Sequence, residues 1–168
     1  MDGEVIMKKY KLGISIAIIL LATILVVVSL NRGGATYPSI GYVTMSVRVD
    51  AFVENMPLLD SDMHELVPVD GIIFPESLVT LYEGDSVFDV LQRELRAVGV
   101  NMSFSTLPGF DLVLVDAISN FFPLDAAPMS GWQYRVNREN PLVGASQYIL
   151  SDGDVIEWRF TLDFDDNW

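Results

Sequence analysis

A chain of 168 residues, of which 51% are hydrophobic and 11% aromatic, has enough apolar material for one packed domain and too little length for a second. The complete lack of cysteine excludes disulfides, thiolate metal sites and a cysteine nucleophile. The net charge of −13 is unevenly spread: Lys8, Lys9 and Lys11 are the only lysines, and from Gly33 onward 21 acidic residues stand against 6 arginines. That balance repels phosphate backbones and argues against nucleic acid as a partner.

In chain order, residues 1–11 read as a cytoplasmic N-terminus. Residues 12–30 (Leu12 to Leu30) carry no charge; as a helix they would be about 28 Å long, close to the ~30 Å hydrocarbon core, and they predict a transmembrane helix. Lysines before the run and only Arg32 directly after it put the N-terminus in the cytoplasm and the remainder outside the cell membrane. A signal peptide cleaved near Gly33-Gly34-Ala35, releasing a secreted form, is the alternative. Residues 31–41 read as a flexible linker, 42–164 as the globular domain and 165–168 as an acidic tail.

Within the domain, Tyr42 to Phe52 alternates, with Val43, Met45, Val47, Val49 and Ala51 on one face, and predicts a half-buried strand. Asp60, Asp62, His64 and Glu65 follow in a polar stretch. A single His without cysteine does not make a metal site, and a solvated loop is expected. Ile72–Phe74 and Leu78–Tyr82 read as two short strands parted by Pro75-Glu76-Ser77. A helix follows, capped by Asp85 or Ser86 with Asp89 in the capping-box position, and ended by Gly99. Its apolar face comprises Val87, Val90, Leu91, Leu95 and Val98.

Val100–Thr106 and Phe110–Ile118 are expected as strands, the second apolar enough for a central position. Asn120–Ser130 has no period; its Phe121, Phe122, Leu124 and Met129 either cover a sheet edge or line a ligand surface beside Trp132. The stretch Gly131–Phe160 is the richest. Trp132, Tyr134 and Val136 alternate with polar residues, as do Ile156, Trp158, Phe160 and Leu162, and Ser151-Asp152-Gly153-Asp154 supplies a tight turn. Between the strands, Asn137-Arg138-Glu139-Asn140-Pro141 reads as a polar loop and not as a minimal two-residue hairpin.

No Ser-His-Asp order, nucleophile elbow or phosphate-binding glycine loop occurs, and 21 carboxylates offer no way to choose a catalytic pair. Binding is the favoured activity. Trp132, Tyr134, Tyr148 and Trp158 offer flat apolar surface, with Gln133, Arg135, Asn137 and Asn140 as hydrogen-bonding neighbours, and core packing is the competing role for the aromatics.

The segment Glu83-Gly84-Asp85-Ser86-Val87-Phe88-Asp89-Val90-Leu91, with Ile118-Ser119, Gly131-Trp132-Gln133-Tyr134-Arg135-Val136-Asn137, Pro141-Leu142, Tyr148 and Asp152-Gly153-Asp154-Val155-Ile156, resembles the transcobalamin-like C-terminal domain family over residues 42 to 163. The resemblance implies an α+β, β-grasp-like fold with one helix on a mixed or antiparallel sheet. It also implies a corrinoid-facing edge at Trp132, Gln133, Tyr134, Asn137, Asn140, Pro141 and Leu142; Tyr148, from the aromatic group, completes the candidate ligand-binding set. The cobalamin carriers of that family place a helical domain before this one, whereas here a membrane helix takes that position. A membrane-anchored extracytoplasmic binding module is therefore expected, with cobalamin or a cell-surface protein as ligand and no enzymatic activity. A structural or interaction domain without a small-molecule site is the alternative, and a carboxylate-dependent hydrolase of surface polymer is a remote one.

Overall fold

The computed structural model describes residues 38–107, 109, 110 and 112–165; the expected membrane span and the linker up to residue 37 lie outside them. Among the described residues no helix is long and apolar enough to cross a membrane. The elements run β1 (Ser39–Arg48), α1 (Asp50–Glu54), β2 (Ile72–Tyr82), α2 (Val87–Ala97), β3 (Met102–Leu107), β4 (Leu112–Ile118), β5 (Gly131–Val136) and β6 (Val155–Thr161). Single 3-10 turns at Met56–Leu58 and His64–Leu66 lie between α1 and β2. The fold is mixed α+β and mostly sheet.

Four strands form one sheet in the order β2-β1-β6-β5, with β1 and β6 parallel at its centre and each antiparallel to its edge strand. Alternation decides which residues point inward. Val43, Met45 and Val47 of β1 and Ile156, Trp158 and Phe160 of β6 are buried in one core. The same core receives Val87, Phe88, Val90, Leu91 and Leu95 of α2. Ser86 and Asp89 form the expected capping box, worth about 1 kcal/mol. Burial of each large apolar side chain contributes about 1.5–3 kcal/mol, so the packed face holds the helix more strongly than its cap does. Gly99, at φ +74°, follows the helix as expected. Val98, placed on the apolar face by its spacing, lies beyond the last turn and is exposed, and Phe88 fills the core in its stead.

Several expectations are corrected. β1 starts at Ser39, inside the expected linker, and ends at Arg48, where the chain enters α1 and buries Phe52 against Phe121 and Phe160. The two short strands around Pro75 are one strand: β2 is an edge, where the missing proline N–H costs no ladder bond, and a register shift between Met45 and Val47 absorbs the irregularity. β4 is not central. It pairs with β3 alone in a separate two-stranded sheet, and only Ala117 and Ile118 at its end are buried. The stretch with Asp60, Asp62, His64 and Glu65 is a surface segment in which the His64 ring nitrogen Nε2 lies 3.1 Å from the Leu59 carbonyl.

Candidate functional site

The connection between β5 and β6 opens with a tight turn. Asn137 and Arg138 have φ of +55° and +70°, and Val136 and Glu139 exchange backbone hydrogen bonds of 3.0 Å in both directions. This is a two-residue reversal of the primed kind, contrary to the open polar loop expected of Asn137–Pro141. The Asn137 carboxamide locks it: Nδ2 donates to Asp154 Oδ1 at 2.8 Å and Oδ1 accepts from the Val155 N–H at 3.0 Å. Asn140 Oδ1 accepts from Arg135 Nε at 2.8 Å. The Asn137 carboxamide is thus engaged at both ends, and Asn140 at its oxygen.

Beyond the turn, the chain is fastened to the start of α2. The Val87 and Phe88 N–H groups donate to the carbonyls of Tyr148 and Ala145 at 3.0 Å each, and the Leu150 N–H donates to the Asp85 carbonyl at 3.0 Å. Helix donors that would otherwise be orphaned thereby hold residues 145–150 in place. On the other side, the Val113 N–H donates to Ser146 Oγ at 3.0 Å. Gly144 lies against Leu112: a Cβ there would fall 2.0 Å from Leu112 Cδ1, so a larger residue would require the Leu112 side chain to swing aside. At the far end of the connection, Gly153 takes the left-handed φ of +87° expected of its turn, and its N–H donates to the Tyr42 carbonyl of β1.

These anchors bring an apolar ridge together. Leu107 and Leu112 are cross-strand partners, and Ser105 and Leu114 share their face; Phe104 and Val115 lie on the other face, where Phe104 meets Phe88 edge-on at 5.0 Å. Leu107, Phe110 and Leu114 are therefore exposed, and Leu112 carries the ridge across Gly144 to Val143 and Leu142, the latter 100% exposed. Tyr134 completes it from β5: its hydroxyl donates to the Val143 carbonyl at 2.7 Å, and its ring lies 5.3 Å from Trp158. Burial, and secondarily the neighbouring Tyr148, push the Tyr134 hydroxyl up to about 12 from the usual 10.0.

The expected site residues thus divide. Tyr134, Leu142 and Tyr148 belong to the ridge or its support, with Pro141 half-buried beside Leu142. Gln133 points to the outer sheet face and donates to the Phe164 carbonyl at 2.9 Å. Trp132 is core: it is 9% exposed, its Nε1–H donates to the Phe121 carbonyl at 2.8 Å, and its ring meets Phe160 edge-on at 5.4 Å. The Asn120–Ser130 loop divides between core and surface. Phe121 is fully buried, while Phe122, Leu124 and Met129 stand in solvent. Leu107, Phe110 and Leu112 were not legible as site residues, because their patterns mark strands and only the docking of residues 141–146 gives their outer face a neighbour.

These features define a small mixed α+β domain that carries an exposed apolar ridge. Residues 84–161 match the model of a family described as a domain of unknown function, DUF4430. Among solved structures, haptocorrin in complex with Cbi has a similar fold, with a TM-score of 0.53 at 14% sequence identity, over 79% of this chain and 28% of the haptocorrin chain. The chain thus spans just over a quarter of haptocorrin's length. A protein from Ruminococcus gnavus ATCC 29149, proposed to bind metal, is matched at a TM-score of 0.44 and 16% identity over 74% of this chain and 99% of that one. No curated protein sequence matches the chain.

Proposed function

We propose that the chain is a membrane-anchored, extracytoplasmic binding module whose domain is β-grasp-like. It engages a flat apolar ligand of the corrinoid type along the ridge of Leu107, Phe110, Leu112, Leu142 and Val143. The observation that carries this reading is the ridge itself: Leu107, Phe110, Leu142 and Val143 are held in solvent, with half-buried Leu112 between them and residues 145–150 pinned by backbone hydrogen bonds to the start of α2, and such apolar exposure marks a surface that a ligand covers. The fold likeness to haptocorrin, a protein solved with Cbi, supports a corrinoid as the first ligand to test. Because the chain spans only 28% of haptocorrin's length, the domain would cover one face of such a ligand and a partner protein or second copy the other. The uncharged run Leu12–Leu30 after Lys8, Lys9 and Lys11 supports the anchor and the orientation. In this reading the domain acts by binding, without a catalytic residue.

The test is calorimetric titration of residues 38–168 with cobinamide and cobalamin, beside Leu142→Asp and Phe110→Asp proteins. Binding that is lost in both variants, with their thermal midpoints unchanged, supports the reading. Equal binding by the wild type and both variants would remove the ridge as the site. A second reading, a protein partner docking on the same ridge, is favoured by the full exposure of Leu142, a knob that suits a partner's pocket. Absence of corrinoid binding together with ridge-dependent retention of a cell-surface protein would select it.

A further inference from the structure

A second feature lies away from the ridge, where α2 hands over to β3. Asn101-Met102-Ser103 is an N-x-S acceptor sequence for N-glycosylation. Asn101 and Ser103 are both exposed. The Asn101 carbonyl accepts from the Ser119 N–H at 2.8 Å, which fixes the backbone, while its carboxamide has no hydrogen-bond partner among the described residues. Asn101 also borders an open depression of about 330 Å³ lined by Gln92, Arg96, Met102 and Phe104. Gln92 and Arg96 have no side-chain hydrogen bond or ion pair among the described residues, although 21 acidic residues populate the chain beyond Gly33. Phe104 is 42% exposed, and its ring meets Phe88 edge-on. An apolar ring edge surrounded by an unspent amide and guanidinium is the chemistry that seats a sugar: the ring covers its C–H face and the polar groups take its hydroxyls.

We propose that Asn101 is an N-glycan acceptor and that the Gln92–Arg96–Phe104 depression seats the first sugar of that glycan. The transferred group comes from a polyprenyl-pyrophosphate-linked oligosaccharide. The Asn101 amide nitrogen attacks C1 of the first sugar, the C1–O bond to the lipid pyrophosphate breaks, and the amide proton passes to a base on the transferase. The pyrophosphate leaves with the electron pair of the broken bond, and Ser103 supplies the hydroxyl that the transferase reads. Seating the sugar over Phe104 shields an exposed aromatic edge and ties the end of α2 to the start of β3.

The proposal rests on the extracytoplasmic orientation proposed above, so the test carries its own topology control. The full chain is translated into glycosylation-competent microsomes, and protection of its C-terminal part from added protease reports the orientation independently of glycosylation. The expected result is one glycan on the protected wild type, none on Asn101→Gln or Ser103→Ala, and one on Ser103→Thr. A protected chain without a glycan at Asn101 overturns the proposal and leaves the orientation standing; an unprotected chain overturns both. For the sugar seat, glycoprotein trimmed to its first sugar is compared with protein from which that sugar has been removed. The trimmed form is expected to melt roughly 2–5 °C higher in the wild type, with that difference lost in Phe104→Ala. Equal melting of the two wild-type forms overturns the seat.

Discussion

Trp132→Ala separates a tryptophan that binds from one that holds the core. The ring is 9% exposed, lies edge-on to Phe160 at 5.4 Å and donates its indole proton to the Phe121 carbonyl at 2.8 Å. Truncating such a ring costs about 3–5 kcal/mol through lost transfer energy and the cavity left behind. A domain of this size has a total stability of about 6–15 kcal/mol, so the variant folds with much of its margin gone. With a urea dependence of ~2 kcal/mol per molar, a loss of about 4 kcal/mol moves the midpoint down by about 2 M. Residues from Pro38 onward form a compact unit by themselves, so urea titration of residues 38–168, followed by far-ultraviolet circular dichroism, is the assay. A midpoint lowered by less than about 0.5 M would correspond to about 1 kcal/mol and would refute the core assignment, because an exposed ring loses little when removed.

Trp158→Phe is expected to destabilise less than Trp132→Phe in the same titration: the Trp158 Nε1–H is buried without an acceptor among the described residues, so its removal also relieves a penalty of about 1–3 kcal/mol, whereas Trp132→Phe breaks a hydrogen bond. Ser86→Ala removes the cap of α2 and is expected to cost about 1 kcal/mol, read as a thermal midpoint a few degrees lower. Stability should also fall as the pH rises through the window from 10 to about 12, because the folded state holds the Tyr134 proton to a higher pH than the unfolded chain does. The expected loss is about 1 kcal/mol, below the full linkage value since the ring is partly open to solvent. Tyr134→Phe should flatten the slope, and an unchanged slope would contradict the assignment. Leu142→Asp is expected to leave the melting midpoint within about 1 °C, since a fully exposed side chain contributes little to the core.

What the sequence determined by itself was local. Period-2 alternation put Val43, Met45, Val47, Ile156, Trp158 and Phe160 inside, and the Ser86–Asp89 pair with helical spacing gave α2 its start and its buried face, because side-chain direction follows directly from backbone repeat. The glycine of Ser151–Asp154 fixed a turn for the same local reason. Partnership, by contrast, came from long-range packing. The alternation of Trp132 and Tyr134 is identical in the sequence, yet Phe121 and Phe160 close over one ring while the other reaches the edge beside Val143. Likewise, nothing in Leu107, Leu112 or Leu142 marks a common surface. They meet because helix N–H groups of α2 capture the carbonyls of Ala145 and Tyr148, and Gly144 lets Leu112 approach the captured chain. Periodicity states which way a side chain points, but an apolar face is core or binding surface according to whether a distant segment covers it.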